Sequence, residues 1–454
     1  MHYSNYSSLD SHDKVDILVS LRDAGLDVLV YEVLQLLSVR EVCSAVQVSK
    51  SWADWDNSYL WTRRLTSQLT ARPELRSVLA GLDETEEPKL CLLRLERLKD
   101  SWRQSECRTV RLREESSVLS LAISLTHTSL ICGLNCGDVA QYNIKTGQLE
   151  RSKEMHNKGV RAVLETSGGL LYTGSYDGTV KVWAPDWSNL TVIPLSVAIT
   201  DIVVEAGLLY VCGDTGSLVC FTREEEEEEG HGLRRVWAVA GGEMINCLVV
   251  WSDWLVSGSD TGQLELRSPH TGTVQHSLLG HDRGCGISAL AVSPLGLWSA
   301  SFDCKILLWS QARPGEALCV LRGHTNPVRC LALDTSRLVS GDYRGFVMIW
   351  DMADIRDELA TFHRRKQKPS KVSQRPPVSD IYRLEGRQVV KTSGGEMAEV
   401  VQHNSLLEHR GNVTAVRLSG PDILVTASRD KSLNIHRFLT SSQQHNKYQR
   451  KSYF

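Results

Sequence analysis

The chain has 454 residues, 42% of them hydrophobic, and is too long for one ordinary compact core. Lys and Arg total 51 and Asp and Glu total 54, so the formal net charge of −3 creates no overall field toward nucleic acid or an anionic membrane. These values predict several domains or a repeat architecture, and they exclude recognition of a partner by bulk charge alone.

Residues 1–25 form a polar N-terminal segment without the basic and then apolar layout of a signal peptide. The sequence contains no apolar stretch of about 18 residues, the length that spans a membrane. We therefore expect a protein of the cytoplasm, the nucleus or both, without membrane contact. Its 12 cysteines include no C-x-x-C pair, so we interpret them as reduced and mostly buried, with no metal or cofactor.

Residues 26–65 carry apolar side chains at helical spacing, which predicts a small helical module. Its second half contains V-S-K-x-W at Val48 to Trp52 and N-x-x-L-W at Asn57 to Trp61. The two motifs resemble an F-box, the module that docks onto the Skp1 adaptor of cullin-RING ubiquitin ligases. F-boxes usually begin with Leu-Pro, whereas this chain has Gly25-Leu26-Asp27 and so lacks the proline that starts the first helix.

An amphipathic helical hairpin binds a partner through exposed apolar side chains. By that argument we expect adaptor contacts at Leu29, Val33, Leu36, Leu37, Val48, Trp52 and Trp61. Some of these side chains must instead form the core of the module, and the sequence does not separate the two groups. A helical domain that only packs against the rest of the chain is the alternative.

Residues 66–107 predict a helical linker with apolar Leu92, Leu95 and Leu98 among charges of both signs. The Trp-Arg pair that ends Leu98 to Arg103 resembles the linker of F-box/WD proteins. A propeller then follows over 108–440, and a tail over 441–454.

The region from about 110 to 438 repeats one pattern of two alternating strands joined by a tight turn. The best copies are LLYTGSYDGTVKVW (170–183), LWSASFDCKILLW (297–309) and RLVSGDYRGFVMIW (337–350). Gly-His or a lone His precedes most copies, and Trp350-Asp351 keeps the terminal Trp-Asp pair. The region resembles the WD-repeat family, whose fold is an all-β propeller of four-stranded blades.

The repeat spacing predicts the number of blades. The steps between equivalent small residues are 41, 39, 45, 42, 41 and 86, so the last step is about twice the others. Residues 380–401 align by pattern with 201–221, and we therefore expect eight blades. A seven-bladed ring with a long insertion at 353–405 is the alternative.

Loop insertions are expected at 223–233, which includes six consecutive glutamates, and at 360–377, which is basic. We interpret both as solvated loops, with an acidic docking loop and a nuclear localisation signal as alternatives.

Four histidines recur before the innermost strands: His156, His281, His324 and His409. In WD blades such a His joins a Ser or Thr, an Asp and the Trp in a buried hydrogen-bonded set, so we interpret these as structural rather than catalytic or metal-binding. The sequence also lacks a P-loop, a G-x-S-x-G motif and a metal-ligand cluster, which argues against an enzyme.

In phosphate-reading WD receptors, arginines follow the Val that opens an innermost strand or precede the Asp of the next turn. The matching places hold Arg161, Arg329 and Arg429, with Tyr176, Phe302 and Tyr343 at the turn of other blades. Arginine forks pair bidentately with phosphate and carboxylate, so these side chains predict a substrate-binding anion pocket. Ordinary rim residues are the alternative, and Thr414, Ser288 and Asn246 fill the arginine place in other blades.

The order of F-box, linker and propeller resembles the F-box/WD-repeat substrate receptors of Skp1-cullin-F-box ubiquitin ligases. The resemblance implies a non-catalytic subunit that binds Skp1 through 26–65 and target proteins, some of them phosphorylated, through the propeller, in the ubiquitin and proteasomal degradation pathway. A WD-repeat scaffold outside the ubiquitin system is the competing hypothesis.

Overall fold

The computed structural model describes residues 20–21, 24–47, 56–71, 76, 87–124, 126–223, 233–313, 315–367, 390–392, 395–401 and 405–438. The chain divides into two compact units, Met1–Gln104 and Ser105–Phe454. None of the helices in these ranges is long and apolar enough to cross a membrane.

Four helices make up most of the described part of the first unit. Their bounds are Asp27–Leu36 (α1), Val39–Ala45 (α2), Ser58–Ala71 (α3) and Pro88–Arg103 (α4). A capping box starts α2, because the Glu41 N–H donates to the Ser38 hydroxyl at 3.1 Å and the Ser38 N–H donates to the Glu41 carboxylate at 2.6 Å. Pro88 occupies the first turn of α4, where its missing N–H leaves no helical bond unmade.

One hydrophobic core joins the four helices. Its buried side chains are Val30, Leu34, Val39, Val42, Val46, Leu60, Trp61 and Leu92. Leu92 belongs to α4, so the helix predicted as a linker packs on the other three and completes their core.

The N-x-x-L-W motif holds the start of α3 in place. The Leu60 N–H donates to Asn57 Oδ1 at 3.1 Å, while Asn57 Nδ2 donates to the Tyr31 hydroxyl at 2.8 Å. Trp61 Nε1 donates to Asp56 Oδ1 at 2.7 Å. Asn57 therefore caps α3 and ties it to α1.

The described strands of the second unit form seven blades, each with four hydrogen-bonded strands. Blades 1 to 4 each use four consecutive strands. Blade 1 comprises β2 (Val118–Ile123), β3 (Ser129–Leu134), β4 (Asp138–Asn143) and β5 (Leu149–Glu154). Blade 2 comprises β6 (Val160–Glu165), β7 (Leu171–Ser175), β8 (Thr179–Trp183) and β9 (Asn189–Pro194). Blade 3 comprises β10 (Ile199–Glu205), β11 (Leu208–Gly213), β12 (Leu218–Arg223) and β13 (Leu233–Val239). Blade 4 comprises β14 (Ile245–Trp251), β15 (Trp254–Ser259), β16 (Leu264–Arg267) and β17 (Val274–Leu278).

Blades 5 to 7 include the insertion and the closure of the ring. Blade 5 comprises β18 (Ile287–Ser293), β19 (Gly296–Ser301), β20 (Ile306–Trp309) and β21 (Ala317–Arg322). Blade 6 comprises β22 (Val328–Leu333), β23 (Arg337–Asp342), β24 (Phe346–Asp351) and β27 (Ser405–Leu407). Blade 7 comprises β28 (Val413–Ser419), β29 (Ile423–Ser428), β30 (Ser432–Arg437) and, as its outermost strand, β1 (Arg108–Arg113).

The blades close into a ring. Neighbouring innermost strands contact each other from β2 through β6, β10, β14, β18 and β22 to β28, and β28 contacts β2. Because β1 precedes blade 1 but completes blade 7, the two ends of the propeller region are joined by strand pairing. The ring leaves only short outer edges exposed.

The expectation of eight blades is wrong, and the seven-bladed alternative is correct. β27 pairs with β24 and supplies the fourth strand of blade 6, so the doubled spacing before blade 7 is an insertion within blade 6. The insertion contains a helix, α5 (Met352–Gln367), and two strands, β25 (Val390–Thr392) and β26 (Gly395–Val401). β26 pairs in parallel with β21 and extends blade 5. Of the predicted blade at 380–401, only 390–392 and 395–401 lie within the described residues. The glutamate run lies outside the described residues. The expectation of a loop at 360–377 is wrong over 360–367, which belong to α5, because the apolar face of this helix packs into the core as far as Phe362. Residues 368–377 lie outside the described residues.

The recurring histidines form the hydrogen bonds expected of a structural set. In blade 5, His281 Nδ1 pairs with Asp303 Oδ2 at 2.9 Å, its Nε2 pairs with Ser299 Oγ at 2.8 Å, and Trp309 Nε1 donates to the same Oγ at 2.8 Å. Blades 2 and 6 repeat this arrangement at His156 and His324.

Candidate ligand-binding mouth and adaptor surface

Every innermost strand has a β-bulge at its second residue. The extra residue of a bulge is unpaired, so its side chain can be directed away from the ladder. The residues at this place are Leu119, Arg161, Thr200, Asn246, Ser288, Arg329 and Thr414. Arg161 and Arg329 therefore occupy the unpaired bulge position of their innermost strands.

The hydroxyl groups at this place join neighbouring blades. Thr200 Oγ1 donates to the Ile245 carbonyl at 2.6 Å. Ser288 Oγ and Thr414 Oγ1 make the equivalent bonds to the next blades at 2.6 and 2.7 Å. Blades 3, 5 and 7 thus use the bulge residue to hold the ring together, whereas blades 1, 2, 4 and 6 carry longer side chains there.

A central channel with a volume of about 170 Å³ runs between the innermost strands of all seven blades. Arg161 and Arg329 line it, together with Asn246. The bulges therefore bring two of the three predicted arginines to one cavity.

The four other predicted substrate-binding residues lie at one end of the blades. Each follows the second strand of its blade, and its backbone N–H donates to a carbonyl in the loop before the innermost strand at 3.0 to 3.1 Å. These residues are Tyr176, Phe302, Tyr343 and Arg429. We call the surface formed by these turns and the channel entrance the mouth.

The predicted residues are close enough to interact. The rings of Phe302 and Tyr343 meet edge to face, with centroids 5.6 Å apart. The Arg329 guanidinium lies 6.0 Å from the centroid of Tyr343. Burial lowers the pKa of Arg329, and repulsion from Arg161 and Arg429 lowers it further. The three guanidinium groups are positively charged and can only donate hydrogen bonds. A bound anion would reduce their mutual repulsion and accept those bonds.

Sequence reasoning missed two charged groups of the channel. Asp201 accepts a hydrogen bond from the Leu248 N–H at 2.8 Å, and burial raises the pKa of Asp201 while Arg161 and Arg417 oppose that rise. Arg417 also lines the channel, and burial lowers its pKa. The sequence contained a signal for Asp201, because this residue opens the Asp-Ile pattern of its repeat. Arg417 lies at a place that no comparison of the repeats marked.

In the first unit, α1 exposes an apolar stripe. Leu29, Val33 and Leu36 are 49%, 42% and 86% exposed. Their spacing of four and three residues puts them on one face of the helix, while Val30 and Leu34 on another face enter the core. These exposures show that three of the predicted adaptor residues lie on the surface of the helical unit and not in its core.

The remaining adaptor residues differ in placement. Trp61 is 3% exposed and belongs to the core, which corrects the expectation of a surface contact there. Leu37 is partly buried against the same core. Val48 and Trp52 lie outside the described residues. In the part of the chain that the structure describes, no group of three or more His, Cys, Asp or Glu side chains could hold a metal ion.

Comparison with known proteins supports the repeat. The family described as WD domain, G-beta repeat matches residues 147–184, 272–310 and 315–351. These matches fall on blades 2, 5 and 6, or on segments that lead into them.

Similar proteins include one of a nematode and two of a plant. The chain is 25% identical over 223 residues to the ubiquitin fusion degradation protein 3 homolog of Caenorhabditis elegans, which covers 44% of this chain and 24% of that protein. It is 26% identical over 144 residues to WD repeat-containing protein RUP1 of Arabidopsis thaliana, covering 30% and 35%. It is 22% identical over 286 residues to protein ROOT INITIATION DEFECTIVE 3 of Arabidopsis thaliana, covering 58% and 54%.

The matches span between about a quarter and about a half of these relatives' own lengths. The matches to the family model all lie in the propeller region, outside residues 26–65. Together with the seven closed blades, they show that this chain carries WD40 repeats folded as a β-propeller.

Proposed function

We propose that this chain is the substrate-recognition subunit of a Skp1-cullin-F-box ubiquitin ligase. Its helical unit binds the adaptor and the mouth of its propeller binds target proteins. The chain itself performs no chemistry. The observation that carries the proposal is the exposed stripe of Leu29, Val33 and Leu36 on a helix whose other apolar face is already used in a core.

Large apolar side chains exposed in a row mark binding surfaces in soluble proteins, because water makes such exposure unfavourable. A helix that presents them fits the groove of a partner protein. The two F-box-like motifs, at Val48 to Trp52 and Asn57 to Trp61, favour Skp1 as that partner. One of the similar proteins is named as a ubiquitin fusion degradation protein 3 homolog.

The first experiment tests the adaptor. Full-length chains with Leu29→Asp and Leu36→Asp, alone and together, are expressed in cells and purified with their associated Skp1 and cullin. We expect the double variant to recover at least about tenfold less of both, since central apolar contacts of an interface contribute 1–2 kcal/mol or more each. Leu90→Asp is the matched control, because Leu90 is 49% exposed on α4.

Equal recovery of Skp1 by wild type and the double variant would remove the ligase proposal. A scaffold outside the ubiquitin system predicts that outcome, with other partners lost in place of Skp1 and cullin. The experiment therefore separates the two functions.

The second experiment tests the mouth. After proteasome inhibition, proteins bound to wild type are compared with those bound to Arg161→Ala, Arg329→Ala and Arg429→Ala combined. We expect targets to be depleted while Skp1 is retained. Enrichment of the same proteins by both chains would exclude the mouth as the target site.

A further inference from the structure

The turns around the mouth differ in charge from one side of the ring to the other. Seven equivalent residues each donate their backbone N–H to the loop before the innermost strand of the same blade. In blade order they are Asn135, Tyr176, Asp214, Asp260, Phe302, Tyr343 and Arg429. Blades 5, 6, 7 and 2 supply the aromatic and cationic residues, whereas the adjacent blades 3 and 4 supply two carboxylates.

The two carboxylates belong to one acidic surface. Asp214 and Asp260 are exposed, as is Glu243 in the loop before β14. The turn of blade 3 contacts that loop, because a Cβ atom at Gly216 would lie 2.6 Å from the Glu243 carbonyl oxygen. Among the described residues, neither Asp214 nor Asp260 forms a salt bridge with a Lys or Arg side chain.

Asn246 gives a second, independent sign of a ligand. It is 8% exposed, lines the channel at the bulge of blade 4, and its Nδ2 has no hydrogen-bond partner. A buried donor left unpaired is costly, so native proteins rarely keep one without a use. An acceptor from a bound segment, such as a backbone carbonyl, would satisfy it.

We propose that the mouth binds a bipolar peptide segment of the target. An anionic side chain faces Arg161, Arg329 and Arg429, and a Lys or Arg on one side of it faces Asp214 and Asp260. A backbone carbonyl of the segment accepts from Asn246 Nδ2. This inference rests on the mouth being the target site of the proposed function. It adds to the recognised sequence a basic residue on one side of the anion, and it gives the bound segment one chain direction across the ring.

The two charged halves have different consequences for binding. The arginines alone would accept any acidic segment in either direction. The carboxylates of blades 3 and 4 repel a uniformly acidic segment and attract one with a basic residue, so they supply specificity by both attraction and repulsion. The mouth therefore fixes which way the chain of the target runs across the ring.

The test uses an oriented peptide library on the full-length chain. Each peptide has phosphothreonine at its centre and random residues at four positions on either side, and a second library has Glu at the centre. Bound peptides are sequenced from wild type, from the reversed variant Asp214→Lys with Asp260→Lys, and from Asp253→Lys. Asp253 is the matched control, because it is exposed on blade 4 but lies in the turn between β14 and β15, at the opposite end of β15 from Asp260.

We expect wild type and Asp253→Lys to enrich Lys and Arg at one offset and on one side of the centre. The reversed variant is expected to enrich Asp and Glu at that same offset, because the partner charge has changed sign. With single peptides, replacing the basic residue by Gln is expected to weaken binding to wild type by about fivefold, the effect of one favourable exposed ion pair. Asn246→Leu is expected to weaken all bound peptides alike, since its acceptor is a backbone carbonyl. Thermal unfolding of each variant establishes that it is folded.

Three results would overturn the inference: no basic preference in wild type, a preference equal on both sides of the centre, or an unchanged preference in the reversed variant. Binding that requires the arginines but ignores the basic residue would overturn the bipolar ligand and leave the anion pocket standing. Loss of Skp1 recovery does not enter this test, so the adaptor proposal can fail while the library result holds. Which centre, phosphothreonine or Glu, is enriched more strongly identifies the source of the anion.

Discussion

Ser299 shows how one hydroxyl group organises a blade. It pairs with His281 Nε2 and accepts from Trp309 Nε1, and both partners are buried. In the neutral imidazole, His281 Nδ1 donates to the Asp303 carboxylate, so Nε2 accepts from the Ser299 hydroxyl. One side chain thus satisfies two buried groups, one from the loop before β18 and one from β20.

Removal of this hydroxyl should destabilise blade 5. Ser299→Ala leaves a buried acceptor and a buried donor unpaired, and we expect a loss of about 2 to 4 kcal/mol in the free energy of unfolding. Ser299→Thr is the control, because blade 2 has Thr173 in the same bonds. Urea unfolding measures both variants. Equal midpoints for Ala and Thr would contradict the role of the hydroxyl.

Blade 7 uses a different residue in the place of the Trp. His436 pairs through Nε2 with Thr426 Oγ1 at 3.1 Å and through Nδ1 with Thr109 Oγ1 of β1 at 2.9 Å. Burial lowers the pKa of His436 to about 3, with repulsion from His409 and Arg111 acting in the same direction. The side chain is therefore neutral in the folded protein at neutral pH.

The low pKa predicts a specific response to acid. The unfolded chain takes up a proton at His436 near the ordinary value of 6.5, whereas the folded chain does so only near pH 3. The contribution to stability is complete above pH 6.5 and is lost as the pH falls toward 3. We expect His436→Trp to reduce the fall in the urea midpoint between pH 7 and pH 4.

The exposed His127 provides the control for this measurement. His127→Asn should leave the pH dependence of the wild type in place. An unchanged slope in His436→Trp would show that other groups cause the acid sensitivity.

Degenerate blades limit what residue patterns can predict. In blade 1 no histidine precedes the repeat; instead Tyr142 donates to the Glu114 carboxylate, and Cys132 lies 3.8 Å from it. In blade 4, Arg267 Nε donates to Ser257 Oγ at 3.1 Å, where other blades use Trp. Strand pattern predicted both blades, but these substitute bonds depend on partners that only the fold brings together.

On the scale of elements, α1 has two apolar faces with different roles. Leu34 is 1% exposed within the core and Leu36 faces solvent. Leu34→Ala should cost about 2–5 kcal/mol through lost contacts and a cavity, whereas Leu36→Ala should change stability by less than about 0.5 kcal/mol. Helical periodicity predicted a helix here but not which face is buried, because both faces carry Leu and Val.

Hydrogen–deuterium exchange of α1 and α3 measures this difference within the full chain. We expect faster exchange in Leu34→Ala and unchanged exchange in Leu36→Ala. Acceleration by Leu36→Ala would place its side chain in a structural role and weaken its assignment to the adaptor surface.

The insertion in blade 6 explains why the blade count failed from sequence. The spacing of 86 residues and the pattern at 380–401 both suit another blade. Spacing reports chain length, however, and does not report which strands pair. β27 has only three residues, Ser405–Leu407, and completes blade 6 through three paired positions, a signal too short to recognise in the sequence.

The helix of the insertion also has a structural role that its sequence did not reveal. α5 buries Met352, Ile355, Leu359 and Phe362, which are spaced by three and four residues, in the core shared by blades 5 and 6. The apolar face of an inserted helix thus covers blade 6, whose fourth strand is short and delayed in the chain, together with the neighbouring blade 5.

On the scale of the whole molecule, the ring is held closed by β1. Val110 and Leu112 of β1 pack against the core cluster shared by blades 7 and 1, and both approach the turn at Gly147 of blade 1. Arg437 Nη2 donates to the Ile144 carbonyl at 2.8 Å across the same boundary. This boundary joins segments from opposite ends of the propeller, about 300 residues apart in sequence, so its formation closes the longest loop of the fold.

Weakening of this closure should have a local effect on the ring. Val110→Ser with Leu112→Ser removes apolar burial from two half-buried side chains and should cost about 2 kcal/mol. We expect faster hydrogen–deuterium exchange in β28 to β30 and in β2 to β5, on the two sides of the closure, and unchanged exchange in β14 to β17 across the ring. Arg111→Ser, on the exposed face of the same strand, is the control.

The distribution of the increased hydrogen–deuterium exchange over the blades decides between local opening and cooperative unfolding of the ring. Blades that contact only their neighbours can open at one boundary while the distant blades stay folded, as in other repeat proteins. If exchange instead rises equally in all seven blades, the ring unfolds as one cooperative unit. In that case β1 stabilises the whole mouth, because Arg161, Arg329 and Arg429 keep their common field only while blades 2, 6 and 7 remain in one closed ring.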